Sequence, residues 1–250
     1  MNGPGKLRAA AVALGVAVAA MVMQVVAAVP AVLAFGIEPG ETAAPENVVV
    51  LFVASYAGMV LAVWGYLRWS GRGWSYLDVR TPTRRDLLYV VGGTVGGFAA
   101  LTGLGAVVEL LGLPTTPNAA LEPAFSGGPS FLLVLVPLVL FVNAPVEELV
   151  FRNVVQKRLY GAYGKGAAVV LASLVFAVVH LPVYYNPDLR ATGVMVALIF
   201  AGSLVFGWVY ARTENLVVPT VVHGLFNAIQ ILLLYVYLTS DLTLELLAPV

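Results

Sequence analysis

The chain has 250 residues, of which 60% are hydrophobic and only 10% charged, with 13 Lys and Arg balancing 13 Asp and Glu. A soluble domain carries about 25% charged residues, so this composition, with a mean hydropathy of +0.94, describes an integral membrane protein. Neutral net charge without a basic tract argues against nucleic acid as a partner, and the lack of any cysteine excludes disulfides, a thiolate nucleophile and a cysteine-ligated metal.

Lys6 and Arg8 precede an apolar run from about Ala9 to Phe35. A secretory signal has an apolar region of only about 7–15 residues, so this run is expected to be a retained first transmembrane helix. Further apolar stretches predict an all-α, polytopic transmembrane helical bundle with spans near 9–35, 47–69, 86–112, 130–158, 166–182, 192–211 and 216–239. An amphipathic stretch within 70–90 leaves room for an eighth, short or re-entrant helix. The connections carry turn chemistry: Glu38-Pro39-Gly40-Glu41, Gly71-Arg72-Gly73, Pro114-Thr115-Thr116-Pro117-Asn118 and Ser126-Gly127-Gly128-Pro129. The chain is expected to be one membrane domain in two parts, N-terminal helices over 1–129 and a helical core over 130–239.

Basic residues occupy alternate connections: Lys6 and Arg8; Arg68, Arg72, Arg80, Arg84 and Arg85; Lys157, Arg158 and Lys165; Arg212. The intervening ones carry Glu38, Glu41, Glu46, Glu122, Asp188 and Asp241, with Arg190 the one basic exception. The positive-inside rule then places the N-terminus in the cytoplasm. Trp64, Trp69 and Trp74 flank a cytoplasmic boundary and serve as interfacial anchors. The glycines at 92, 93, 96, 97, 103 and 105 fall in an apolar span with small-xxx-small spacing, which predicts close helix packing and not a nucleotide loop.

Span four is too long. A helix over 130–158 measures about 43 Å at 1.5 Å per residue, against a hydrocarbon core of about 30 Å. Pro137 and Pro145 lie within it, so either a kink near Asn143-Ala144-Pro145 or a tilted helix with a cytoplasmic extension is expected.

Into these spans intrude groups that cost at least a few kcal/mol each at membrane depth. They are Glu147, Glu148 and Arg152 in span four, and the only two histidines, His180 in span five and His223 in span seven. Glu148 precedes Arg152 by four residues, the favourable order for a helical ion pair, whereas Glu147 points about 100° away and is left for another partner. Phe176 and His180 share one helix face, as do His223 and Asn227; Phe176 can fix the imidazole rotamer, and Asn227 can bond a substrate oxygen or orient His223. Counted from the cytoplasmic ends, Glu147 lies about 15 Å deep, His180 about 20 Å, His223 about 10 Å and Asn227 about 17 Å. That shared depth supports one site, nearer the cytoplasmic half.

Two chemistries suit such a set. A carboxylate or imidazole can take a proton from water while a second imidazole and an amide stabilise an oxyanion. Alternatively, Glu147, His180 and His223 match a three-ligand catalytic metal site such as zinc, with water in the open position. Both point to hydrolysis of an acyl bond. No Gly-Xaa-Ser-Xaa-Gly or His-Glu-Xaa-Xaa-His motif is present.

The order Glu147-Glu148-Xaa-Xaa-Xaa-Arg152, Phe176-Xaa-Xaa-Xaa-His180 and His223-Xaa-Xaa-Xaa-Asn227 on separate helices resembles the family of CAAX prenyl proteases and bacteriocin-processing enzymes. The resemblance covers roughly residues 130–230. It implies an intramembrane endopeptidase with Glu147 as general base acting with His180 on water, His223 and Asn227 lining an oxyanion hole, and Glu148 and Arg152 supporting the helix. It implies a membrane-associated peptide or protein substrate, with a prenylated CAAX-type protein as one form of it, and leaves open whether a divalent metal is used. The competing classes are a non-catalytic membrane peptide-binding, immunity or scaffold protein, and a small transporter with a proton relay. The latter is disfavoured because no inverted repeat is visible.

Overall fold

The computed structural model describes residues 3–38, 43–121 and 128–240, and all regular structure among them is helical. The expected Pro39-Gly40-Glu41 turn, Ser126, Gly127, Glu122 and Asp241 lie outside the described residues. Six helices are long and apolar enough to cross a membrane, which makes the chain a multi-pass membrane protein.

Helix α1 (Gly3–Phe35) and α2 (Pro45–Trp69) pack side by side. Ala9, Ala13, Val16, Ala17 and Ala20 form the buried stripe of α1, and Tyr56, Met59, Val63, Tyr66 and Leu67 that of α2. Small residues on one side and large ones on the other let the two backbones close up. At Gly58 the approach is tight enough that a methyl group would collide with the Met23 carbonyl. A 3-10 turn, Trp74–Tyr76, follows and leads in extended chain to α3 (Arg84–Leu110). The optional eighth helix over 70–90 is therefore not formed. The N-terminus of α3 is fixed by a capping box between Thr83 and Asp86. Of its glycines, Gly93 and Gly97 turn inward, where a Cβ would press on Val209, Val222 and Phe226; Gly92, Gly96 and Gly103 face open space.

The next 49 residues, Phe131–Val179, form one helical stretch holding two of the seven expected spans. Its parts are α4 (Phe131–Leu138), a π-helical turn Val139–Asn143, α5 (Ala144–Glu148), a second π segment Leu149–Gln156, and α6 (Lys157–Val179). The expected disturbance near Pro145 takes the form of a widened turn, with the Ala144 amide donating five residues back to Val139. Proline has no amide to return to position 141, and the π turn just before it absorbs the resulting slack. Within α6, Gly164 (φ 76°, ψ 165°) leaves helical geometry, a conformation open to glycine at little steric cost. The chain folds back there, so that the rings of Phe151 and Phe176 meet edge to face at 5.0 Å. Spans four and five are thus joined at Gly164 without a loop.

Helices α7 (Leu189–Thr213) and α8 (Val217–Thr239) complete the bundle, joined by Glu214 in the left-handed region at φ 45°. The segment 149–156 lies at the centre, with every residue from Val150 to Gln156 buried.

Candidate active site

α5 and the π segment after it carry two neighbouring carboxylates with different surroundings. Glu148 is fully buried and spends both oxygens: Oε2 accepts from Arg152 Nε at 3.0 Å, and Oε1 lies 3.0 Å from His223 Nδ1. The expected ion pair is present, and Arg152 continues it by donating from Nη2 to Ser203 Oγ at 2.9 Å. A carboxylate only accepts, so His223 Nδ1 carries the proton toward Glu148, and Nε2 is turned the other way. The His223 ring is clamped by Phe206, stacked at 4.5 Å and 18°, and by the edge contact of Phe176 at 6.0 Å.

Glu147 faces a separate set of partners. Its Oε1 accepts from Tyr56 OH at 2.9 Å and from Asn143 Nδ2 at 2.5 Å, while Oε2 stands 3.9 Å from His223 Nε2. That separation is too long for a hydrogen bond. Asn143 Nδ2 also reaches Tyr56 OH at 2.5 Å, and Asn143 Oδ1 accepts from Asn227 Nδ2 at 3.0 Å. Asn227 thus ties α8 to the Glu147 group through Asn143 and does not bond His223.

His180 ends α6. Its Nδ1 lies 2.7 Å from the Phe176 carbonyl, which can only accept, so the proton sits on Nδ1 and the Nε2 lone pair is left available. Phe176 packs 4.4 Å below the imidazole, as the i,i+4 spacing predicted. His180 is half-buried, in contrast to His223 at 3% exposure and Glu147 at 7%. The structure therefore places two bonded groups side by side, Glu148 with Arg152 and His223, and Glu147 with Asn143, Tyr56 and Asn227, and brings His180 to the first through the ring of Phe176.

Tyr56 and Asn143 are participants that the motifs did not name. Asn143 had a signal, since it lies four residues before Glu147 on the same face. Tyr56 had none, being one tyrosine among many in apolar helices.

Among the described residues, no three His, Asp or Glu side chains come together as a metal-ligand group. Glu148 is saturated, and Glu147 has one oxygen committed to Tyr56 and Asn143. As the side chains stand, Glu147, His180 and His223 do not close into a metal-ligand group, and no step below passes through a metal.

The fold and this cluster define a class: an all-helical membrane protein with acid, imidazole and amide groups gathered in its interior. Residues 129–229, the part that supplies every motif position, match the family model described as type II CAAX prenyl endopeptidase Rce1-like, consistent with the CAAX prenyl protease and bacteriocin-processing family. The match supports intramembrane endopeptidase activity at that level. No curated protein and no solved structure matches the chain.

Proposed function

We propose that the protein hydrolyses a peptide bond of a membrane-associated peptide or protein by water that Glu147 and His180 activate, in a site built on 130–239 and completed by α2. The observation that carries this is the asymmetry of Glu147: Oε1 is anchored by two donors while Oε2 faces His223 Nε2 across 3.9 Å with no bond between them. A polar gap of that width inside a bundle suits a bridging water. The carboxylate takes the water proton as hydroxide attacks the scissile carbonyl, and the tetrahedral oxyanion accepts from Asn227 Nδ2 and from the Nε2–H of His223 in its imidazolium form, whose charge Glu148 balances. Glu148, paired with Arg152, holds the Nδ1 proton of His223 and so fixes which nitrogen faces the reaction. His180, with Nδ1 bonded to the Phe176 carbonyl, offers Nε2 to shuttle the proton to the leaving amine. A prenylated carboxyl-terminal segment is one substrate compatible with the family.

The test is cleavage of a library of membrane-anchored peptides by purified protein in nanodiscs. Glu147→Gln is expected to lower the rate by about 10²–10⁴-fold, the usual size of a general-base contribution, with unchanged thermal unfolding and no effect of a strong chelator on the wild type. Undiminished cleavage by Glu147→Gln overturns the assignment, and chelator inhibition relieved by zinc replaces it with a metal mechanism. Absence of cleavage in every preparation favours a peptide-binding or scaffold role.

A further inference from the structure

We propose that Asn143 is a positioning residue of the reaction: its amide carries the demand of the Glu147 carboxylate for a donor across to Asn227, and so sets the direction in which Asn227 offers its N–H groups to the oxyanion. This deepens the proteolytic reading above and rests on it.

Asn143 closes the π turn that precedes Pro145 and stands four residues before Glu147, on the same helix face. It is buried, at 8% exposure, and all of its side-chain polar atoms are engaged. Nδ2 donates to Glu147 Oε1 and to Tyr56 OH, each at 2.5 Å, and Oδ1 accepts from Asn227 Nδ2 at 3.0 Å. An asparagine amide has two N–H donors and one acceptor oxygen, and these three partners take both donors and the oxygen.

The orientation of each amide follows from its neighbours. A carboxylate only accepts. Turned over, Asn143 would set its oxygen against Glu147 Oε1, two acceptors face to face in a buried site where a mismatch is costly. Asn143 therefore presents nitrogen to Glu147 and oxygen to α8. That oxygen in turn admits only the nitrogen of Asn227. The charge on Glu147 thus decides, through one amide and across a helix boundary, which end of the next amide faces it. Of the two hydrogens on Asn227 Nδ2, one is held by Asn143 and the other is the one the oxyanion takes. Asn227 is half-buried, whereas Glu147 and Asn143 are buried, so the relay ends on the member that a substrate can meet.

α8 comes near enough for this because Gly224, three residues before Asn227, lies against the π turn and α5. A Cβ there would stand 3.2 Å from Leu140 Cδ2 and 3.6 Å from the Ala144 Cβ. The two oxyanion donors are thus set by the two carboxylates separately. Glu148 holds His223 directly at 3.0 Å, and Glu147 holds Asn227 through Asn143.

Peptide cleavage in nanodiscs tests this with Asn143→Ala, Asn227→Ala and the two combined, and with Asn143→Ala combined with Glu147→Gln. Asn143→Ala is expected to lower kcat by about 10–100-fold, the weight of hydrogen bonds to a charged group, with little change in KM. Because Asn143 acts through its two neighbours, its loss should cost clearly less in either background than in the wild type. Independent sites would instead multiply their losses to within about twofold. Asn143→Ser, whose hydroxyl is one bond too short to hold Glu147 and Asn227 together, should behave as Asn143→Ala does, and it takes that variant's place if the alanine cavity unfolds the chain. A loss that multiplies fully with that of Asn227→Ala, or one confined to KM, overturns the positioning role and leaves the proteolytic reading standing. If the wild type cuts no peptide in any preparation, the proteolytic reading falls and takes the positioning role with it.

Discussion

Glu147 and Glu148 are adjacent in sequence yet differ in every partner, and that difference divides their expected roles. Removing the Tyr56 hydroxyl takes away one bond to a charged oxygen, worth about 1.5–3 kcal/mol. If that bond orients the attacking carboxylate, Tyr56→Phe should lower kcat by about 10–100-fold with little change in KM, measured by steady-state peptide cleavage. Glu148→Gln is expected to behave differently. It leaves Arg152 as a buried charge without its counter-ion, and breaking such a pair costs about 3–5 kcal/mol. Thermal unfolding in detergent should show a clear loss for Glu148→Gln and none for Glu147→Gln. A stable Glu148→Gln protein with normal activity would show that neither Arg152 nor His223 depends on it.

Among the elements, the tightest crossing is that of α1 and α2 at Gly58. A Cβ there meets the Met23 carbonyl and Ala27 rather than a mobile side chain, so the helices must separate, and overpacking of this kind costs about 1–3 kcal/mol. Gly58→Ala should lower the unfolding temperature, while Gly92→Ala, facing open space, should leave it unchanged. The spans themselves were legible because twenty-residue apolar runs have few alternatives. Their internal geometry was less so. Pro145 announced a disturbance, but whether the helix would kink, tilt or widen depends on how the surrounding bundle accommodates the missing amide. The motif positions were likewise legible as intrusions of charge into apolar segments, whereas the partner of each was not. Glu148 reaches His223 across 75 residues, a pairing that no periodicity encodes.

For the whole molecule, Asp78 joins the segment before α3 to the central helix, α7 and the start of α8. Replacing it by Ala strands Lys157 and Tyr210 without their acceptor, and loss of charge-assisted bonds of this kind costs about 1–3 kcal/mol. Asp78→Ala should therefore destabilise the fold, read as a lower unfolding temperature in detergent.

The hydrogen bond from Tyr56 has a consequence for inheritance. Tyr56 lies on α2, more than seventy residues before the segment 129–229 that carries the recognisable domain. A chimera that keeps residues 129–229 and takes its front helices from a distant homologue would preserve every motif letter while losing the donor on Glu147. Such hybrids should fold and insert yet turn over slowly unless the donated helix happens to place a hydroxyl at that register. The front of the chain is then free to drift in sequence but not in that one contact, and restoring a single tyrosine to an inactive hybrid should recover activity.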